Sequence, residues 1–368
     1  MKAAVVYKYG QPIDVVDVEL GDVGPSDIRV KIKATGLCHS DVATQTGDLP
    51  FPLPIILGHE GSGIVTEVGA DVTQTKVGDH VVLSALIHCG VCAQCEKGHH
   101  NICEWGLGVL GTCANPDGKL RATDAEGNEL HQFALLGTLT EELICHEKHA
   151  VPIPDDVPFD VACLAGCGVL TGMGAVVNRA KVQEGESVAV IGCGGVGLNV
   201  IQVAAMLGAN PVIAIDIHDD KLKMARSFGA THVIASGPDV DVAAAVHEIT
   251  NGVGADYAFE VVGIPELVRQ AWDCLAVDGT AIGVGVSPAT SELSLPAFEL
   301  ANSEKTLMAS MYGSSQPTRD ILVAIELYRD GKLKFDELIT HRFELKDING
   351  AVDKMHGGSD ARGIVVFD

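Results

Sequence analysis

The 368 residues suffice for two domains, and with 47% hydrophobic and 20% charged content the chain folds around large cores. Aromatic residues make up only 4%, so Val, Ala, Ile and Leu fill those cores. A formal net charge of −24 at pH 7 excludes a nucleic-acid partner bound by counterion release and reads as a solubility feature.

From the N-terminus, MKAAVVYKYGQPIDVV alternates like a strand and lacks the apolar core of a signal peptide. No run reaches the roughly eighteen apolar residues of a membrane span, so no membrane partner is expected. Eleven cysteines without an export signal point to a cytoplasmic protein whose cysteines bind metal or do chemistry. Residues 1 to about 100 predict short strands between turns (RVKIKATG, GIVTEVG, DHVVLSA) and hence an all-β lobe. PFPLPIILGHEG, with three prolines, predicts a loop. The stretch HCGVCAQCEKGHHNIC then spaces Cys89, Cys92, Cys95 and Cys103 as C-x2-C-x2-C-x7-C. A thiolate every third residue lets a short loop wrap one tetrahedral zinc ion, and four thiolates leave no open position, so this site is structural. Residues 106–140, with NPDGKLRATDAEGNEL, read as a polar surface excursion.

After about residue 168 strands and helices alternate. SVAVIG predicts a buried strand, VGLNVIQVAAMLGA a helix with Gly208 near its C-cap, VIAID a strand, and DDKLKMARSFGA a helix ending at Gly229. HVI, DYAFEVV and TAIGVGV continue as strands, with helices at DVAAAVHEIT and PELVRQAWDCLA. That alternation implies a parallel sheet covered on both faces. DILVAIELYRDGKL predicts a helix and RGIVVFD a last strand, which we expect to return to the first lobe.

VAVIGCGGVGLNV carries Gly192, Gly194 and Gly197 as G-x-G-x-x-G, with Gly195 as an extra glycine. The motif follows a strand and opens a helix, the context in which it binds a dinucleotide. The first glycine permits the turn, the second close approach of a pyrophosphate, and the third close packing of helix on strand. The helix N-terminus faces the phosphates with free N–H groups. Asp216 ends the next strand, nineteen residues past Gly197; a carboxylate there accepts the ribose hydroxyls of NAD and repels a 2′-phosphate. Lys221, five residues on, reaches the same ribose.

GLCHSD, GHEGSGIVTEVG, VGDHVV, the four-cysteine lobe, GCGVLTGMGA, GCGGVG and VIAID occur in one order over essentially the whole length. In this the chain resembles the zinc-dependent alcohol dehydrogenases of the medium-chain dehydrogenase/reductase family. The resemblance implies an α/β fold in which a β-rich, GroES-like catalytic domain (1–168 and 311–368) carries an inserted Rossmann domain, a doubly wound parallel sheet (169–310), with the active site in the cleft between them. It implies two zinc ions per chain and NAD. Cys38, His59 and Cys167 become the ligands of a catalytic zinc, a set that on residue type alone reads as buried thiols and a core histidine. Glu60 becomes a carboxylate behind the metal or an alternate ligand, Asp41 the group that orients His59, and Ser40 the hydroxyl that meets the substrate oxygen. His39, Thr171, Val196, Val284 and Arg362 become cofactor contacts, His39 and Arg362 near the pyrophosphate and Thr171 at the nicotinamide. Ser40, Ala85 and Leu135 line the substrate pocket; relatives carry a bulky aromatic at the position of Ala85, so room opens for a larger or aromatic alcohol. Many relatives also end a proton relay in a histidine five residues after the first cysteine ligand, where this chain has Ala43 followed by Thr44, so the proton's exit is not assigned.

The resulting expectation is hydride transfer between NAD and a primary alcohol or aldehyde, aromatic or medium-chain. The alternatives are a dehydrogenase of S-hydroxymethyl-thiol adducts of formaldehyde, an enzyme that holds its nicotinamide permanently, and, in a different class, a zinc-ribbon binding module. The long 106–140 segment resembles the dimeric branch of the family, so a homodimer joined near KTLMASMYG is expected, with a homotetramer as the alternative.

Overall fold

The computed structural model describes residues 1–358 and 361–367. The chain divides into two compact units: residues 1–168, 316–330 and 335–368 form one, and residues 169–315 and 331–334 the other. The second crossing falls at 315/316, beyond the 310/311 expected. The turn Met311–Ser314 belongs with the preceding unit because Gly313 O accepts a hydrogen bond from Asn178 Nδ2, and a Cβ added at Gly174 would lie 2.2 Å from the same oxygen.

In the first unit, Lys2–Val6, Asp14–Leu20, Ala122–Asp124, Glu129–Gln132 and Ile55–Ile56 close a small barrel. Its inside is aliphatic: Ala3, Val5, Val18, Ile56 and Leu130. A larger sheet runs Ala150–Pro152, His80–Leu83, Glu60–Val68, Asp27–Leu37, Arg362–Val366 and Ile339–Phe343, with Glu142–His146 also paired to Asp27–Leu37. The C-terminal strand therefore does return to the first lobe. Register along Asp27–Leu37 positions the site: Gly36 faces Glu60 and Leu37 faces Gly363. His59, Glu60, Cys38 and Arg362 thus arrive at one corner of the sheet although they are far apart in sequence.

Two sequence expectations need correction here. The 106–140 segment is not a surface excursion throughout: exposure is confined to 107–108, 111–112 and the turns at 117–119 and 125–129. Its two strands close the barrel, and Arg121, 6% exposed, forms a buried ion pair with Asp27 (Nη2 to Oδ2 2.6 Å). Polar composition misled because that charge is paired inside, where a carboxylate and a guanidinium satisfy each other. PFPLPIILGHEG likewise holds a strand, Ile55–Ile56, too short to show periodicity.

The second unit is one parallel sheet of six strands in the order His232–Ala235, Val212–Asp216, Val188–Ile191, Ala255–Glu260, Leu275–Gly283 and Thr306–Ala309. Numbered along the chain this is 3-2-1-4-5-6, the doubly wound order whose reversal lies beside the first strand. Its helices, Gly195–Met206, Asp219–Ser227, Val242–Ile249 and Pro265–Asp273, match the expected ones. Gly208 and Gly229 both follow their helices at positive φ, +82° and +112°, where a residue without Cβ is favoured. Among the described residues no single helix is long and apolar enough to cross a membrane.

Candidate functional site

Cys89, Cys92, Cys95 and Cys103 bring their sulfurs within 4.8 Å of one another. Cys103 lies 3.6 Å from Cys89 and 3.9 Å from Cys92, and Cys89 lies 4.0 Å from Cys95. A zinc–sulfur bond of about 2.3 Å implies a tetrahedral edge of about 3.8 Å, so the four sulfurs fit one zinc. They are far too separated for disulfides, whose sulfurs lie about 2.05 Å apart. Backbone N–H groups of Val91 and Cys92 point at Cys89 Sγ, and those of Cys89 and Gly106 at Cys103 Sγ. Such donors stabilise thiolates.

The second cluster is Cys38, His59 and Cys167, whose ligand atoms also lie within 4.8 Å of one another. Cys38 ends the strand Asp27–Leu37 and starts the helix His39–Thr46. Three residues into that turn, Asp41 accepts the Cys38 N–H through Oδ2 (3.0 Å). Its other oxygen, Oδ1, accepts the Gly58 N–H (2.9 Å) and meets His59 Nδ1 at 3.2 Å. Asp41 is fully buried. With Nδ1 donating to Asp41, the lone pair of His59 rests on Nε2, the arrangement of a metal-ligating histidine. The hydrogen bond between the two sulfurs pulls Cys38 well below the ordinary thiol range and, with burial, pushes Cys167 well above it. Two sulfurs and one imidazole nitrogen form a donor set that suits zinc.

Glu60 and Arg362 stand behind this trio. Glu60 Oε1 accepts the Gly168 N–H (2.8 Å) and pairs with Arg362 Nη2 (3.3 Å), while Oε2 is buried with no hydrogen-bond partner among the described residues. Burial pushes the Glu60 carboxyl up to about 7 against the downward pull of Arg362. Burial works against the Arg362 charge, yet Glu60 and the sulfurs of Cys38 and Cys167 drive its pKa upward. Two glycines make room for the pair: a Cβ at Gly36 would lie 2.0 Å from Glu60 Oε2, and one at Gly168 2.1 Å from Arg362 Nη2. Ser40, half-buried on the same helix, has Oγ 3.9 Å from Cys38 Sγ, and its carbonyl accepts the Thr44 hydroxyl (2.9 Å). His39 is exposed. Ala85 is 7% and Leu135 2% exposed. Ala85 lies two residues after Leu83, whose carbonyl would meet a Cβ on Gly166 at 2.7 Å, with Glu60 Cα 3.7 Å from the same point.

Sequence reasoning missed Phe133. Its ring stands edge-on to His59, with centroids 5.1 Å apart and planes at 81°. It also missed Gly36 and Gly168. Gly36 and Gly168 lie within GLCHSD and GCGVLTGMGA, but their role in making room for Glu60 and Arg362, like the place of Phe133, shows only in contacts.

In the second unit the strand Val188–Ile191 leads into Gly192 at φ +98°, where a Cβ would strike Val262 at 2.6 Å. Gly197 packs so close that a Cβ would lie 1.9 Å from Gly192 O, whereas a Cβ on Gly194 would meet nothing within 4 Å. Gly194 caps the helix Gly195–Met206 with open space in front of it, a cradle that suits a pyrophosphate. Val196 is half-buried in the first turn of that helix. Asp216 Oδ2 accepts the Cys193 N–H (2.7 Å) and Oδ1 the His218 N–H (2.9 Å). Each oxygen keeps a further lone pair for a ribose hydroxyl. Lys221 is half-buried in the next helix. Thr171 is 9% exposed, and Val284 is half-buried with its N–H donated to Glu260 O (2.8 Å).

Residues 24–155 match the alcohol dehydrogenase GroES-like domain family, and residues 195–327 the zinc-binding dehydrogenase family. An S-(hydroxymethyl)glutathione dehydrogenase of Paracoccus denitrificans is 37% identical over 373 residues, covering 100% of this chain and 99% of that protein. An alcohol dehydrogenase zinc-binding domain protein from Burkholderia ambifaria superposes with a TM-score of 0.94 at 34% identity, covering 100% of this chain and 98% of the other. The benzyl alcohol dehydrogenase of Acinetobacter calcoaceticus superposes with a TM-score of 0.91 at 33% identity, covering 100% of this chain and 99% of the other.

Proposed function

We propose, for a chain that belongs to the zinc-dependent alcohol dehydrogenases of the medium-chain dehydrogenase/reductase family, that the substrates are aromatic or medium-chain primary alcohols and their aldehydes. Family membership makes the protein an NAD-dependent zinc oxidoreductase of alcohols and aldehydes; the substrate and the residue roles are our reading. The observation that carries the substrate is the company of His59: an aromatic pair, Phe51 and Phe133, with ring centroids 5.3 Å apart. The small Ala85 supports the same reading. The likeness to a benzyl alcohol dehydrogenase points the same way.

Cys38, His59 and Cys167 would hold the catalytic zinc, with Asp41 fixing the imidazole, and Cys89, Cys92, Cys95 and Cys103 would hold the structural one. When bound at the three-ligand site, zinc supplies a Lewis acid that acidifies an alcohol hydroxyl, and NAD supplies the hydride acceptor. Ser40 Oγ takes the hydroxyl proton. The Ala43 side chain offers no acceptor, so no histidine at that position relays the proton that Ser40 passes outward. Arg362 offsets the negative charge of Glu60 and the two sulfurs, and Glu60 stands as the carboxylate behind the metal. Gly192, Gly194, Gly195, Val196 and Gly197 receive the pyrophosphate. Asp216 and Lys221 hold the adenosine ribose, and Thr171, Val284, His39 and Arg362 complete the cofactor contacts. A homodimer forms through the edge strand Thr306–Ala309, a reading supported by the exposed Leu307 on it and the exposed Phe298 and Leu300 in the preceding helix.

Competitive kcat/KM values for benzyl alcohol and ethanol test the substrate; a strong preference for ethanol contradicts it. The Paracoccus relative favours a second reading, oxidation of a thiol–formaldehyde adduct. Formaldehyde turnover that requires added glutathione, with benzyl alcohol poorly used, selects that reading.

A further inference from the structure

His59 is buried, 4% exposed, and its setting includes more than its hydrogen-bond partners. The contact from Nδ1 to Asp41 Oδ1, 3.2 Å, orients the ring from one edge, and the Cys38 side chain also meets the imidazole. Against the same ring stands Phe133, 6% exposed and edge-on to the imidazole. Phe51 packs against Phe133 in turn, and Tyr9 donates its hydroxyl proton to Phe51 O, so the row of rings is anchored to the chain beyond the site.

The backbone beside Phe133 is unusual. Ala134 and Leu135 both have positive φ, +54° and +64°, and Gly137 follows at +64°. Two successive non-glycine residues in the left-handed region persist only where their surroundings over-determine them. Here they do. Gln132, 2% exposed, donates from Nε2 to Leu136 O (2.7 Å) and Ile144 O (3.2 Å). Thr138 N–H bonds Gly58 O and Leu139 N–H bonds Leu57 O, each at 2.9 Å. Thr138 Oγ1 meets Thr35 Oγ1 at 2.7 Å. The strained turn is therefore laced to the residues that lead into His59, and what it delivers there is one aromatic ring.

We infer that Phe133 is a positioning residue for the metal site: the turn 132–138 seats its ring against His59 and holds by packing the imidazole that Asp41 orients by hydrogen bonding. This rests on Cys38, His59 and Cys167 being zinc ligands. The role goes beyond that of a pocket wall, because a wall would alter alcohol binding and leave the metal untouched.

The test is zinc release from the holoenzyme into excess chelator, followed with a chromogenic dye, with the catalytic phase identified by its absence in Cys167→Ser. Phe133→Leu releases the catalytic zinc about tenfold faster, the low end of what partners behind a ligand contribute, and the structural phase keeps its rate. Phe133→Tyr, which restores a ring, releases at the wild-type rate. Gln132→Ala, which loosens the turn and keeps the ring, accelerates the same phase by a smaller factor. With cobalt(II) in the catalytic site, Phe133→Leu shifts the visible bands and Phe133→Tyr does not. Wild-type release and spectrum in Phe133→Leu, with only KM changed, overturn the inference. Two zinc ions retained in Cys167→Ser remove the ligand reading beneath it, a separate and distinguishable failure.

Discussion

Replacing Asp41 by Asn removes a charge and almost nothing else from the volume of the site. The carboxylate serves three donors: Cys38 N–H at 3.0 Å, Gly58 N–H at 2.9 Å and His59 Nδ1 at 3.2 Å. An amide has one acceptor oxygen. If it faces Gly58 and His59, its NH2 group points at the Cys38 N–H, donor against donor. If it turns round, two donors lose their acceptor. The cheaper orientation leaves one buried N–H unpaired, at a cost of about 1–3 kcal/mol. The imidazole also loses an ionic partner, a change that typically weakens metal binding by about 10–100-fold, or about 1.4–2.7 kcal/mol. Asp41→Asn is thus expected to keep its structural zinc, to lose catalytic zinc to a competing chelator at about 10–100-fold lower concentration, and to unfold in urea with about 1–3 kcal/mol less stability. Asp41→Ala, which strands all three donors, loses more. Catalytic zinc affinity within twofold of wild type and unchanged urea stability in Asp41→Asn would refute the reasoning.

Other consequences follow from the same geometry. Cys103→Ser breaks the four-sulfur cage, so metal analysis should find one zinc per chain in place of two together with earlier thermal unfolding; two zincs would contradict the cage. Asp216→Ser deletes a carboxylate worth about 1.5–3 kcal/mol per charged hydrogen bond, so KM for NAD should rise by roughly one to two decades and the preference over NADP should collapse; an unchanged NAD/NADP ratio would argue against its ribose role. His149, fully buried with Nδ1 2.7 Å from Ser84 O, is depressed by burial from 6.5 to about 4. The unfolded chain therefore takes the proton first, and stability falls as pH drops from 6.5 towards 4, by about 3 kcal/mol in full. Urea unfolding of His149→Asn should show a shallower loss over that window, and an identical slope would acquit His149.

How much of this was legible in the sequence depended on how far apart the cooperating residues lie. The cysteine cage was readable because its four ligands fall within fifteen positions. The glycine loop was readable because strand, turn and helix are contiguous, and the open space before Gly194 and the tight contact at Gly197 match the reasons given for each glycine. The trio Cys38, His59 and Cys167 was not derivable from spacing, since sheet register, with Gly36 opposite Glu60, brings Cys38 beside His59, and the turn Cys163–Gly166, packed close to Leu83 and Glu60, brings Cys167. Arg121 shows the opposite failure: its polar neighbourhood suggested solvent, and a long-range partner, Asp27, buried it. Phe133 belongs to no pattern at all, because the positive φ angles that aim it are invisible in residue type.

The account turns on a zinc ion held by Cys38, His59 and Cys167. The most direct measurement is alcohol oxidation by NAD after a chelator has removed that ion alone, with circular dichroism and a remaining single zinc per chain confirming that the fold and the cysteine cage survive. Oxidation of benzyl alcohol is expected to vanish and to return in proportion to added zinc. Oxidation that continues undiminished in the one-zinc protein would contradict the account.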